Sequence, residues 1–82
     1  GDIYASYLNL ESLEGMPKRV LSGDIHLQGN KLKSLKYISV PDQLLNIGYN
    51  NLENLNYLTI YGNTKVIGLN TKALELEYKY RK

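Results

Sequence analysis

The middle of the chain carries one pattern of apolar and polar positions twice. The first copy consists of Ile25, Leu27, Asn30, Leu32 and Leu35, and the second, twenty residues later, of Leu45, Ile47, Asn50, Leu52 and Leu55. An internal period of about 20–50 residues is typical of proteins built from stacked structural repeats. We therefore expect each copy to form one unit of a stack.

Each unit is predicted to begin with a short β-strand. In Ile25-His26-Leu27 and in Leu45-Asn46-Ile47 two apolar residues flank a polar one, which is the alternation of a strand with one buried face. Glycine and asparagine then turn the chain, and two spaced leucines point back to the interior. Successive units in one orientation place their strands side by side in parallel. The predicted architecture is a short parallel sheet with extended or 3-10 return paths.

The first unit is a less regular copy of the same pattern. Residues 1–22 carry Ile3, Ala5, Leu8, Leu10 and Leu13 at the same offsets. Leucine thus replaces the asparagine, and alanine replaces a larger aliphatic residue. Terminal units of a stack are expected to be atypical because one side lacks a neighbouring unit.

The remaining segments complete a single predicted domain over residues 1–82. We assign a fourth unit to 58–72 from Leu58-Thr59-Ile60 and Asn63, which leaves 23–42 and 43–57 for the second and third units. Residues 73–82 alternate apolar and charged side chains, which predicts a C-terminal strand that caps the stack. A helix that includes 72–75 is the alternative, because these residues have good helical propensity.

The repeated asparagine is the polar residue that such a stack needs. The turn after each strand leaves backbone donors and acceptors inside the structure, and a side-chain amide can satisfy both kinds. Asn30, Asn50 and Asn63 are therefore predicted to form a structural ladder. A buried polar group without a partner costs about 1–3 kcal/mol, so this ladder matters for stability.

The motif Ile25-x-Leu27-x-x-Asn30-x-Leu32 and its copy from Leu45 to Leu52 resemble the core of leucine-rich repeats. The resemblance covers most of residues 1–69, and the short period is similar to that of bacterial and phage members. It implies a β-rich solenoid of the leucine-rich-repeat type, which is grouped with α/β folds by convention. Proteins of this kind mostly bind other proteins through the strand face, and some are fused to catalytic domains. The regular apolar residue three positions before each strand is missing here.

Composition narrows the classes of function. The formal net charge of +2 is too small to indicate nucleic-acid binding by itself. The absence of cysteine excludes disulfides and cysteine-based zinc sites, and it favours a reducing, cytoplasmic location. No apolar run approaches the length of a membrane span, so we expect no membrane partner. Eight tyrosines without Phe or Trp suit either half-buried repeat edges or a contact surface.

Strand residues that alternate with the buried ones form the predicted protein-binding face. A flat sheet that exposes tyrosine, histidine and amide side chains is a suitable surface for another protein. The residues assigned to it are Tyr4, Ser6, Asp24, His26, Gln28, Asn46, Tyr57, Thr59 and Tyr61, with Gly48, Glu75 and Glu77 beside them. The alternative interpretation is that these are ordinary solvated strand positions.

A group of basic residues forms an alternative candidate site. Lys18, Arg19, Lys31, Lys33 and Lys36 occupy loops and return paths of adjacent units. If they converge, with Tyr37 nearby, they suit single-stranded RNA, because aromatic rings stack on bases and lysines contact phosphates. The simpler interpretation is that these lysines keep a leucine-rich surface soluble.

Catalysis is not indicated by any motif. His26 is the single histidine, there is no cysteine nucleophile, and no serine lies in a nucleophile-elbow motif. One histidine does not make a typical zinc site, and the glycines are spaced as repeat turns, not as a phosphate-binding loop. We expect no enzymatic activity, no metal and no cofactor.

The sequence therefore predicts a recognition domain. The favoured function is binding of another protein, as an adaptor or inhibitor, and the resemblance implies a small bacterial or phage factor that acts on a host protein. RNA binding and self-association through the open ends or the sheet edge remain the alternatives.

Overall fold

Four short strands form the sheet in the part of the chain that the structure describes. This structure is a computed structural model and describes residues 1–18 and 22–68. The strands are β1 (Ile3–Tyr4), β2 (Asp24–His26), β3 (Leu44–Asn46) and β4 (Lys65–Ile67). They pair in parallel in the order β1-β2-β3-β4, and no helix occurs in the described ranges. The predicted short parallel sheet is confirmed.

The pairing register of β1 with β2 and of β2 with β3 follows the period read from the sequence. Ile3 pairs with Ile25, Ile25 with Leu45, and Leu45 with Val66. After β1, β2 and β3 the chain therefore returns to place the next strand beside the previous one in the same direction. Equivalent residues of successive units consequently become neighbours.

The interior consists of the aliphatic residues at these equivalent positions. Fully burying one such side chain contributes about 1.5–3 kcal/mol, so the repeated leucines are the main source of stability. The buried cluster contains Leu13, Ile25, Leu27, Leu32, Leu35, Leu45, Ile47, Leu55, Leu58, Ile60 and Val66. In the first unit Ile3, Ala5, Leu10 and Met16 are only partly buried, which is expected where the stack ends.

Asn30 joins the first unit to the second through its side-chain amide. Its Oδ1 accepts hydrogen bonds from the backbone N–H groups of Leu8 and Leu10, at 3.1 and 2.9 Å. Its Nδ2 donates to the carbonyl oxygens of Ala5 and Leu27, at 2.8 and 2.9 Å. One buried amide thus satisfies four backbone groups, three of them in the neighbouring unit.

Asn50 repeats this arrangement one unit further on. Its Oδ1 accepts from the N–H of Leu32 at 3.1 Å. Its Nδ2 lies within hydrogen-bond distance of the carbonyls of Leu27, Ile47 and Gly48, at 2.9, 3.2 and 3.2 Å. The two asparagines therefore make the cross-unit bonds that a ladder requires.

Side-chain hydroxyls make a second set of cross-unit bonds on the return side. Ser39, which is fully buried, donates to the carbonyl of Pro17. Thr64, which is 4% exposed, donates to the carbonyl of Asp42 at 2.8 Å. Neither bond was apparent from the sequence pattern.

The position predicted for the fourth unit is wrong. The fourth strand is β4, whereas Leu58 and Ile60 are buried in the return path that precedes it. The N–H of Leu58 donates to the carbonyl of Leu55, which closes a turn. The third unit therefore extends well beyond 57, and Asn63 is exposed in the turn before β4, outside the ladder.

The error has a simple physical cause. Ile38-Ser39-Val40 in the second unit has the same alternation as Leu58-Thr59-Ile60 and lies twenty residues earlier. Both segments lie on a return path, where Leu58 and Ile60 are buried and Ile38 and Val40 are partly buried. Alternation alone therefore did not identify a strand. The rest of the predicted fourth unit, 69–72, and the predicted cap at 73–82 lie outside the described residues.

We expect Asn50→Ala to lower the free energy of unfolding by about 2–3 kcal/mol, because the Leu32 N–H and the carbonyls that share Nδ2 lose their partner. Asn54→Ala is the control. Its Oδ1 accepts one bond from the N–H of Asn56 at an exposed turn, so its loss should stay below about 1 kcal/mol. Urea denaturation followed by circular dichroism measures both values. Equal losses would contradict the structural role of Asn50.

Glycine is required at position 68 for two reasons. Gly68 has a φ of 84°, and a Cβ there would overlap the backbone N and Cα of Gly48. Gly62 has a φ of 53°, but a Cβ there would meet no atom within 4 Å.

Gly62→Ala should therefore cost only the left-handed backbone strain, about 1–2 kcal/mol. Gly68→Ala should cost more, because the two backbones must also separate. Thermal unfolding of the two variants tests this, and a midpoint for Gly68→Ala equal to or above that of Gly62→Ala would contradict the close approach.

Candidate functional site

The strand residues that alternate with the buried ones form one surface of the sheet, which we call the strand face. Its members in the four strands are Tyr4, Asp24, His26, Leu44, Asn46, Lys65 and Ile67. Side chains of a strand point alternately to opposite faces, so Ile3, Ile25, Leu45 and Val66 point to the core instead. Ser6, Gln28 and Gly48 continue the alternation just beyond the strands.

The centre of this surface at β1 and β2 is an aromatic stack. Tyr4 and His26 are paired in register, and their rings lie 4.9 Å apart at an angle of 4°. Tyr4 is 73% exposed. His26 Nε2 also lies 3.9 Å from Asp24 Oδ2. The result is an accessible ring held against a half-buried one.

A carboxylate fixes the orientation of the exposed tyrosine. The Tyr4 hydroxyl donates to Asp2 Oδ2 at 2.7 Å, and the Asp24 N–H donates to Asp2 Oδ1 at 2.8 Å. The bond from Tyr4, followed by that from Asp24, lowers the pKa of the Asp2 carboxyl, because both stabilise the charged form. The same bond raises the pKa of Tyr4, since its ionisation would place two negative charges together. Asp2 was not among the residues assigned from the sequence.

The other predicted face residues have different environments. Asn46 uses its Oδ1 to accept from the Gly48 N–H at 3.1 Å, so it supports the chain reversal as well as the surface. Ser6 is half-buried. Gln28 is half-buried too, and its Oε1 is inaccessible and without a hydrogen-bond partner in the described structure.

Three residues predicted for the strand face belong elsewhere. Tyr57, Thr59 and Tyr61 lie on the return path between β3 and β4 and are not part of the sheet. This follows from the misplaced fourth unit. Lys65 and Ile67 occupy the strand-face positions of β4 instead. A further step of twenty residues from Leu45 and Ile47 would have located β4, but one residue out of register, because Leu45 pairs with Val66. Glu75 and Glu77 lie outside the described residues.

The tyrosines are on the surface, in contrast to the aliphatic residues. All six in the described ranges are exposed, from 49% for Tyr37 to 84% for Tyr49. The expectation that the tyrosines form half-buried edges is therefore not met for these six, and the other two lie outside the described residues.

Four of these tyrosines have a backbone conformation that suits glycine better. Tyr37 and Tyr57 have the same offset in adjacent units, each with a φ of 73°. Tyr7 and Tyr49 share another offset, with φ of 56° and 53°. The equivalent residues of the remaining units are Gly15 and Gly29, which have φ of 96° and 74°. A left-handed conformation costs a non-glycine residue about 1–2 kcal/mol, so stability does not explain these tyrosines.

The lysine cluster is interrupted by carboxylates. Lys33 has Glu11 and Glu53 at the equivalent positions of its two neighbouring units, and the Glu53 N–H donates to the Lys33 carbonyl at 3.4 Å. Glu14 is likewise equivalent to Lys36, whose Nζ lies 5.2 Å from the centre of its neighbouring Tyr37 ring. Alternating charges on adjacent units favour local compensation over attraction of a polyanion.

The remaining basic residues do not complete the cluster. The Lys18 carbonyl accepts from the N–H of Val40, whereas the Lys31 N–H donates to Leu10. These contacts lie at opposite ends of the return path of the second unit. Arg19 lies outside the described residues.

The described contacts of the strand-face side chains are hydrogen bonds, the Tyr4–His26 ring stack and the approach of His26 to Asp24. Among residues 1–18 and 22–68, no group of three histidine, cysteine or acidic side chains is arranged to hold a metal ion. The same ranges contain no helix long and apolar enough to cross a membrane.

Tyr4→Phe should raise the pKa of Asp2 toward the value of an ordinary exposed aspartate. The stabilisation that Asp2 provides is present above its unfolded-state pKa and is lost as pH falls through its lower folded-state pKa. The variant should therefore lose this contribution at a higher pH than the parent. A carboxyl-carbon NMR titration measures the shift, with Tyr7→Phe as the control. An unchanged Asp2 pKa in Tyr4→Phe would exclude the hydrogen bond as its main cause.

The comparison with known proteins gives no relative from which a function can be transferred. No protein-family profile matches the chain, and no curated protein or solved structure is significantly similar to it.

Proposed function

We propose that this chain is a solenoid of the leucine-rich-repeat type that recognises another protein through its strand face and catalyses no reaction. The fold assignment is supported by parallel strands that recur every 20–22 residues and by asparagine amides that bond between units. A cytoplasmic adaptor or inhibitor is the role that agrees with the absence of cysteine. The short repeats, which resemble bacterial and phage examples, suggest a host protein as the target.

The observation that carries this proposal is the segregation of aromatic from aliphatic residues. Leucine and isoleucine fill the core, whereas every described tyrosine is on the surface. Tyrosine is enriched in protein interfaces because its ring supplies contact area and its hydroxyl a hydrogen bond at little entropic cost. Its use at left-handed positions, where neighbouring units have glycine, also favours a role in contact.

The strand face offers a suitable centre for such an interface. Tyr4 is both exposed and held in one orientation by Asp2 and His26. A ring that is already ordered loses less conformational freedom on binding. Tyr7 and Tyr49, which follow β1 and β3, border this surface at the carboxyl end of the sheet.

Charge is distributed unevenly across the same face. Asp2 and Asp24 lie at its β1–β2 side, and Lys65 lies on β4. Such polarity orients a partner more than it adds affinity. RNA is a poorer candidate, because Lys33 and Lys36 alternate with glutamates of adjacent units.

Tyr4→Ala should weaken capture of the partner by about tenfold or more, as expected when an interface anchor is truncated. Tyr57→Ala removes an equally exposed tyrosine from the return path and should leave capture unchanged. The assay is a pull-down from bacterial lysate, with and without nuclease, followed by quantification of the retained protein. Thermal unfolding of both variants controls for loss of structure.

Charge reversal at Lys31 and Lys33 separates protein from nucleic-acid binding. Protein capture should survive this change and nuclease treatment. Loss of capture in either case, or equal capture by Tyr4→Ala and the parent, would refute recognition of a protein through the strand face.

A further inference from the structure

The open side of β1 is an unpaired strand edge. The N–H groups of Ala5 and Tyr7 donate to the carbonyls of His26 and Gln28 in the neighbouring strand. In a parallel pair, the residue between two such bonded residues directs its own N–H and C=O away from that partner. Ser6 lies between Ala5 and Tyr7, and Tyr4 occupies the same position in the two-residue alternation. The backbones of Tyr4 and Ser6 therefore point to the outer side, where no strand of the described chain pairs with β1.

An apolar pocket lies beside this edge. It has a volume of about 200 Å³ and is lined mainly by Ile3, Ala5, Leu10, Leu13 and Met16. Its size is explained by Ala5, since the equivalent residues in the next two units are Leu27 and Ile47. The volume is below the roughly 300–1,000 Å³ of sites for drug-sized ligands. It suits a single aliphatic side chain.

Another unit of the same repeat would fit this end poorly. Units are joined here by an asparagine amide, as when Asn30 bonds to Ala5, Leu8 and Leu10. The first unit has Leu8 at the equivalent position, and that side chain is 58% exposed. Leucine offers no amide, so the bonds that join the units cannot be repeated on this side. A single strand from another chain would not need these asparagine bonds. It could bind through the backbone edge of β1 and the pocket alone.

The charge around the pocket favours a strand that carries basic residues. Residues 1–17 contain Asp2, Glu11 and Glu14 but no lysine or arginine. Glu14 lines the pocket, and Asp2 directly precedes β1. A strand that bonds to Tyr4 would place successive side chains alternately toward the pocket and toward the strand face. Basic residues on that strand would meet carboxylates.

We propose that the β1 edge binds an extended basic segment of a partner protein as an added strand. One aliphatic side chain of that segment enters the pocket beside Ala5, and flanking lysines or arginines lie near Asp2 and Glu14. Backbone hydrogen bonds supply affinity in this mode of recognition, and the pocket supplies specificity. β1 contributes to both surfaces, but this contact uses its outer backbone edge and the pocket, whereas the function proposed above uses the side chain of Tyr4. The inference therefore does not depend on that function, and Ala5→Leu and Tyr4→Ala test the two separately.

The test uses the full chain and a synthetic probe, the capped peptide Lys-Val-Lys-Leu-Lys-Val-Lys. Its amide NMR titration should shift residues 3–7 and the pocket lining. A peptide of the same composition with the three aliphatic residues adjacent should bind about tenfold more weakly or worse, because alternation is lost. Binding should also weaken as salt is raised.

Two variants locate the contact. Ala5→Leu fills the pocket with the residue found at the equivalent position of the second unit, and it should reduce peptide affinity by about tenfold or more. Glu14→Lys should reduce affinity and its salt dependence, whereas Glu53→Lys, an exposed carboxylate of the third unit, should not. Thermal unfolding should show that each variant remains folded.

Several results would overturn the proposal. They are no binding at about 1 mM peptide, unchanged affinity in Ala5→Leu with retained folding, or shifts confined to the lysine-rich return path. A dimer detected by sedimentation at working concentration, and broken by Ala5→Leu, would assign the edge to a second copy and would also reject the peptide.

Discussion

The hydrogen-bonded side-chain amide between units is the constraint on which this structure depends. After each strand the chain leaves the sheet ladder, and its backbone groups turn toward the interior, where water cannot satisfy them. Asn30 and Asn50 supply a donor and an acceptor at that point and direct them to the neighbouring unit as well as to their own turn. Because these bonds need a fixed distance between units, they also fix which leucines face each other.

The parts of the fold that obey the period were predictable. The strands β2 and β3, their parallel pairing, and the burial of Leu27 and Ile47 all follow from matched spacing and two-residue alternation. The fourth strand was misplaced because two segments competed for it. Leu58-Thr59-Ile60 looks more like a strand than Lys65-Val66-Ile67, since Gly68 replaces the second buried aliphatic residue. A buried return path and a buried strand both produce alternating apolar and polar residues, and segments this short do not distinguish the two.

The candidate site was predictable to a smaller extent. That Tyr4 and His26 are neighbours follows from their offsets, but their stacking and the bond to Asp2 depend on side-chain rotamers that the pattern does not specify. The assignment of Tyr57 to the strand face failed with the fourth unit. Glu11, Lys33 and Glu53 occupy equivalent positions of successive units, so their charges alternate in sign from unit to unit. This is readable from the sequence, but only when the repeat period is applied to polar positions as well as to apolar ones.

The side chains of Asn30, Ser39, Asn50 and Thr64 all bond to backbone groups of the preceding unit. Asn30 and Ser39 donate to carbonyls of the first unit, Asn50 donates to the second, and Thr64 donates to Asp42. Each of these side chains comes 18–25 residues later in the chain than its cross-unit backbone partners, including the Leu8, Leu10 and Leu32 N–H groups that donate to the two asparagines. Asp2 is the exception, because its Oδ1 accepts from the later Asp24 N–H. During synthesis, these four side chains therefore emerge after the backbone groups to which they bond. The bonds of these four side chains can therefore form in sequence order, from the amino end toward the carboxyl end, as the chain is made.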